Sequence, residues 1–216
     1  MRIFNGILEV EASAHGAELI SIKRNGKEYV WQGDPEFWGR HAPVLFPLVG
    51  KVWNNEYRVD GKTYTLGQHG FARDMDFEVL PQTTPTRMAF RLCSNEQTHK
   101  LYPYDFELTV EFEIEDGVLA KRSYVKNTGD GTMYYMLGDH PAFYYKDFNP
   151  EDEVHGYAEF LNGDEILKTM MLSPLTEHGA LKKEKTVLNI PGGILELKAS
   201  TFDDDALVFE NSQIDK

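Results

Sequence analysis

Cysteine is all but absent from this chain. Cys93 is the single one, so no disulfide can close within the chain and a thiolate metal cluster is not expected. Its flanks, Arg91-Leu92-Cys93-Ser94, continue a strand pattern, and the plain reading is a half-buried core thiol rather than a nucleophile. Cationic residues are scarce too: 22 Lys and Arg stand against 35 Asp and Glu, the formal charge is -13, and the basic residues are scattered. Such a chain repels polyanions, which argues against nucleic acid as a partner. No apolar run approaches the roughly 18 residues that a membrane span needs, so no membrane partner is expected. Met1 runs straight into Arg2-Ile3-Phe4-Asn5-Gly6, a strand and a turn where a secretory leader would have a basic start and an apolar core, so the expected location is the cytoplasm.

Strand signals dominate what is present. In Phe106-Glu107-Leu108-Thr109-Val110-Glu111-Phe112-Glu113-Ile114-Glu115 every second side chain is apolar, the period of a strand with one wet face. Asp116-Gly117 suits the positive φ angles of a two-residue turn and leads into Val118 to Val125, which predicts an antiparallel hairpin. Similar punctuation recurs at Asn5-Gly6, Asn25-Gly26, Asp60-Gly61 and Gly192-Gly193. Frequent turns between short runs rich in Val, Ile, Tyr and Phe predict an all-β antiparallel sandwich or barrel. The 216 residues fit one domain over 1–216, with no repeat, linker or low-complexity tract to divide it. Helix is confined to one turn after Ser94, whose hydroxyl is expected to cap it with Gln97 three residues on, before Pro103. Trp31 to Trp53 and Gly67 to Met75 break the strand pattern; the first mixes aromatics with prolines and reads as an ordered loop over one face or mouth of a sheet. Asp203-Asp204-Asp205 reads as a solvated turn rather than a cation site.

Seven histidines are the main candidates for chemistry. His15, His99, His155 and His178 lie in polar or turn-like stretches and read as surface residues. His41, in the aromatic loop, either lines a site or bonds a backbone carbonyl. His69, in Gln68-His69-Gly70-Phe71-Ala72-Arg73-Asp74, sits beside a glycine that permits close approach of a chain or ligand; a structural role stays open. His140, in Gly138-Asp139-His140-Pro141-Ala142-Phe143, follows the apolar run Met133 to Leu137, so a strand is expected to end there and deliver the ring to the rim or floor of a cleft. Imidazole titrates near neutrality, and two such rings facing one ligand can supply an acid and a hydrogen-bond donor.

Four segments, in order, carry a resemblance: Trp38-Gly39-Arg40-His41-Ala42-Pro43-Val44-Leu45-Phe46-Pro47, Gln68 to Arg73, Tyr102-Pro103-Tyr104-Asp105-Phe106, and Gly138 to Phe143. Together they resemble the aldose 1-epimerase (galactose mutarotase-like) family, most closely its LacX-like branch. The resemblance implies an antiparallel β-supersandwich with a sugar in a concave cleft. It also implies interconversion of the α and β anomers of an aldose through the open-chain aldehyde, with no cofactor and no metal. In that reaction a carboxylate takes the anomeric proton while a histidine protonates the ring oxygen.

Carried over by position, His140 matches the general acid and His69 the histidine that bonds the sugar near its ring oxygen. Arg40 and Arg73 match positions that bind sugar hydroxyls, Arg73 being equally readable as a partner of Asp74 or Asp76. Asp205 matches a substrate-binding aspartate. Trp38 and Phe143 could face the CH side of a pyranose, core packing being the plainer role. The family's late glutamate base has no match: the chain ends at Gln213-Ile214-Asp215-Lys216, and Glu210 belongs to an earlier strand, so the C-terminal strands are expected to be missing. An open sheet edge that could pair with a second copy of the chain would follow. Lys51 stands where relatives often carry arginine.

The expected partner is thus a small sugar, a hexose. Arg40, Lys51 and Arg73 could form a local positive pocket for a phosphorylated one. The competing reading is a non-catalytic carbohydrate-binding or regulatory module. A cupin-type metalloenzyme would show two histidines one residue apart on a strand, a pair this sequence does not have.

Overall fold

The computed structural model describes residues 1–82, 84–176, 178–203 and 206–209. They form two compact units, Met1–Tyr144 and Tyr145–Lys216.

In the first unit, β1 (Arg2–Phe4), β2 (Leu8–Ala12), β3 (Leu19–Arg24) and β4 (Lys27–Glu28) pair in sequence order into an antiparallel sheet. After β5 (Val44–Leu45), the hairpin of β6 (Glu56–Val59) and β7 (Lys62–Thr65) stands as its own ribbon. A second antiparallel sheet runs β11-β10-β9-β8, from β8 (Glu78–Val79) and β9 (Arg87–Cys93) through β10 (Phe106–Glu115) to β11 (Val118–Asn127). The two-residue β12 (Gly138–Asp139) pairs with β5. The β10–β11 hairpin has the expected form: Glu115 faces Val118, and Asp116 and Gly117 both have positive φ, 48° and 79°. A two-residue turn whose twist matches its strands needs both central residues in that region, which is why Asp-Gly serves there.

Alternation puts Phe106, Leu108, Val110, Phe112 and Ile114 inside. They share one buried cluster with Ile3, Leu8 and Val10 of the first sheet and with Met88, Phe90 and Leu92 of β9. Two sheets closing on one core make the predicted all-β sandwich. The wet face of β10 carries cross-strand ion pairs, with Arg91 on Glu107 and Arg122 on Glu113 and Glu115. Glu111, the buried exception on this face, pairs with Arg87 and Arg122.

Period two corrects one reading of the sequence. Because Leu92 points inward, Cys93 at the end of β9 points out and is exposed rather than half-buried. The helix is corrected as well: α1 (Glu96–Leu101) is capped by Asn95, not Ser94. Asn95 Oδ1 accepts from the N–H groups of Gln97 and Thr98, and Thr98 Oγ1 accepts from the Asn95 N–H. Ser94 is engaged in extending the sheet, its hydroxyl accepting from the Phe106 N–H.

Among the described residues, the second unit contains three antiparallel pairs: β13 (Tyr157–Glu159) with β18 (Ile194–Glu196), β14 (Leu161–Asn162) with β15 (Glu165–Ile166), and β16 (Thr169–Leu172) with β17 (Thr186–Asn189). Gly192-Gly193 therefore does not close a hairpin. It lies in a 3-10 turn that passes the chain from one ribbon to another. Among the described residues no helix is long and apolar enough to cross a membrane.

Replacing Asn95 by alanine should lower stability by about 1 kcal/mol in urea unfolding, while serine, which keeps an acceptor, should retain most of it. Equal losses in the two variants would contradict the cap.

Candidate functional site

The site grows from Phe46. Its ring is fully buried and packs against Phe106 at 5.0 Å and Phe71 at 6.3 Å between centroids. Its carbonyl accepts from the N–H groups of Phe71 (3.0 Å) and Ala72 (3.1 Å), and Phe46 bridges Gly70 in parallel register. Gly70 has φ 70°, and a Cβ there would fall against the Phe46 carbonyl and 2.7 Å from Pro47 N. Only glycine satisfies both the backbone angle and the approach.

This contact delivers His69. The residue takes a left-handed conformation, φ 66°, which histidine tolerates better than most side chains. Gly50 clamps it twice: its carbonyl accepts from the His69 N–H at 2.8 Å, and its N–H donates to Nδ1 at 3.0 Å. A backbone N–H can only donate, so Nδ1 is unprotonated and the neutral ring carries its proton on Nε2. The ring is half-buried, and its pKa lies below the ordinary 6.5, first because burial disfavours the charged form and then because Arg73, His140 and Arg40 surround it with positive charge.

His140 arrives on a different segment. From Met136 to Tyr144 the chain is laced along the aromatic loop: the N–H groups of Met136, His140 and Ala142 donate to the carbonyls of Pro47, Pro43 and His41, and Tyr144 donates to Tyr29. The apolar run Met133 to Leu137 is irregular rather than strand; only Gly138–Asp139 qualifies, and Asp139 is held by the Lys121 ammonium. His140 is exposed, its ring 6.1 Å from that of His69 and 5.0 Å from Trp38 between centroids. Trp38 and Phe143, for which the sequence favours core packing, are outside the core. With Trp31, Phe37 and Ala142 they line an open apolar groove of about 420 Å³.

The two arginines are joined by Asp74. Arg40 Nη2 donates to Asp74 Oδ1 at 2.7 Å, and Arg73 Nε lies 3.7 Å from Oδ2 while its Nη2 donates to the Gln68 carbonyl at 2.8 Å. Arg73 Nε is buried without a hydrogen-bond partner. Asp76 pairs instead with His15 at 2.8 Å. His69, His140, Arg40 and Arg73, the histidines and arginines named from sequence, therefore gather in one cluster, whereas Asp205, like Glu210, lies outside the described residues. Among the described residues no group of three or more His, Cys, Asp and Glu is arranged to hold a metal ion.

Sequence reasoning missed Glu18. Its Oε1 accepts from the N–H groups of His41 (2.7 Å) and Ala42 (3.0 Å), pinning the loop that carries Arg40 from a distant turn; nothing local in the sequence signals it. His41 is a loop-packing residue, its ring seated on Gly33, where a Cβ would stand 2.8 Å from Cε1. His155 departs from its surface reading: it is half-buried on Phe148, with Nδ1 buried and without a hydrogen-bond partner.

Gly70→Ala should destabilise the first unit by about 2–4 kcal/mol, read as a drop in melting temperature, because a left-handed backbone and a backbone clash coincide. The His69 proton is held more tightly by the unfolded chain than by the folded one. The stability from its neutral ring is therefore complete above about 6.5 and is lost as the pH falls through the lower folded-state value. An NMR titration of the His69 ring should have its midpoint below 6.5, and a midpoint above it would contradict the assigned burial and charge.

Comparison with known proteins bears on the family and the fold. The aldose 1-epimerase family model matches residues 2–190. The chromosomal LacX protein of Lactococcus lactis subsp. lactis is 31% identical over 215 residues, covering 95% of this chain and 70% of LacX. The crystal structure of a galactose mutarotase related enzyme from Lactobacillus acidophilus matches with a TM-score of 0.85 and 37% identity, over 98% of this chain and 69% of that one. A galactose mutarotase-like protein from Lactobacillus casei matches with a TM-score of 0.78 and 30% identity, over 99% and 72%. With a family match over most of its length and a mutarotase-like sandwich to go with it, the chain belongs to the aldose 1-epimerase family.

Proposed function

We propose that this protein binds a hexose in the cleft between His69 and His140 and interconverts its anomers through ring opening. The observation that carries the reading is the convergence of these two imidazoles, 6.1 Å apart, from segments 71 positions apart in sequence, beside two arginines. Family membership supports a mutarotase-like activity on a sugar.

In this reading His140 protonates the ring oxygen as the C1–O bond breaks, and on reclosure takes that proton back. His69, neutral with its proton on Nε2, donates a hydrogen bond near the same oxygen and does not compete as an acid. Arg40 and Arg73 bind hydroxyls, and Trp38 offers an apolar face beside His140. The anomeric hydroxyl proton goes to a base, a role that the family gives to a glutamate. A second reading stands beside the first: a carbohydrate-binding module without turnover.

Proton NMR of galactose and glucose anomer exchange separates the two. Exchange above buffer that falls by about 100-fold or more in His140→Ala, with melting temperature maintained, is the expected result. Shifted sugar signals without exchange would favour the binding module. Neither exchange nor shifts would remove the proposed cleft altogether.

A further inference from the structure

Asp74 does more than neutralise its neighbour in sequence. Its Oδ1 is 2.7 Å from Arg40 Nη2 and its Oδ2 is 3.7 Å from Arg73 Nε, so one carboxylate bridges two guanidinium groups that come from positions 33 residues apart. That is the place a bidentate anion would take between two arginines. Arg40 is further committed to the Arg73 carbonyl, at 3.5 Å, and Arg73 to the Gln68 carbonyl. The charge sum is short: two guanidinium cations, one carboxylate, and a His69 ring whose Nδ1 accepts a hydrogen bond and is unprotonated. The Arg40–Asp74–Arg73 group is left with a single net positive charge where two arginines alone would present two.

Resting on the sugar-cleft reading above, we propose that Asp74 is a specificity-determining residue: by occupying the Arg40–Arg73 pair with its own carboxylate, it sets the cleft to prefer a neutral hexose over a phosphorylated one. A phosphate entering between the arginines must displace this carboxylate or sit against it, whereas a hydroxyl needs only one donor and meets no repulsion. At separations of about 5 Å in a water-accessible cleft, one carboxylate against a phosphate dianion changes the relative affinity on the order of tenfold, and less as salt rises.

The test is calorimetric binding of glucose and glucose 6-phosphate to the wild type and to Asp74→Asn, Asp74→Glu and Asp76→Asn. The wild type should bind glucose more tightly than glucose 6-phosphate. Asp74→Asn, nearly isosteric, should shift the ratio toward the phosphate on the order of tenfold. Asp74→Glu should keep the wild-type ratio, and so should Asp76→Asn, which removes the same charge two residues away at the His15 pair. A wild type that prefers glucose 6-phosphate overturns the proposal, and this arm stands even if Asp74→Asn does not fold. An unchanged ratio in Asp74→Asn also overturns it. A weaker phosphate affinity in that variant would mean that Asp74 aims Arg40 at the anion, the opposite role. Binding of neither sugar by any form would instead be the failure of the cleft reading itself.

Discussion

The close approach of Gly70 to the Phe46 carbonyl is the constraint on which the site depends. Phe46 has its ring fully buried in the core and its backbone in the loop, so burial and loop geometry are set by one residue. Burying a phenylalanine side chain is worth roughly 1.5–3 kcal/mol, enough to hold an irregular segment in place without regular secondary structure. Gly70 makes this approach in left-handed conformation, and the residue before it, His69, shares that conformation.

A second tie works on the other side of the same loop. The Met136 to Tyr144 segment forms hardly any regular strand, yet it donates hydrogen bonds along the aromatic loop and so brings His140 beside Trp38 and His69. The loop thus serves as the common template for both histidines. Glu18 adds a third restraint by accepting the N–H groups just after Arg40. Chemistry and packing meet in these few backbone contacts, which is why the catalytic reading rests on geometry between segments and not on any one motif.

Much of the fold was legible because period two and the Asx-Gly turns are local rules. The β10–β11 hairpin, its register and its inward face follow from residues 106 to 125 alone. Elsewhere local rules misled. Ser94 and Asn95 both offer a side-chain acceptor, and the choice between them was made by the sheet, which needs the Ser94 hydroxyl. Gly192-Gly193 looks like a hairpin turn, but its flanking strands found other partners. Trp38 and Phe143 have core composition, but they line a groove, because the loop carrying one and the segment carrying the other are tied to each other by backbone hydrogen bonds and not packed into the core.

By itself the sequence determined strand content, most turns, the exclusion of an intrachain disulfide, and the set of histidines and arginines worth examining, since each depends on residue type and spacing within a few positions. Tertiary structure alone decided which of the histidines meet, that His69 is clamped in one tautomer, and that Asp74 bridges Arg40 to Arg73. Those outcomes depend on distances between segments tens of residues apart, which are set by how the core packs and by which backbone groups remain to be hydrogen-bonded once it has.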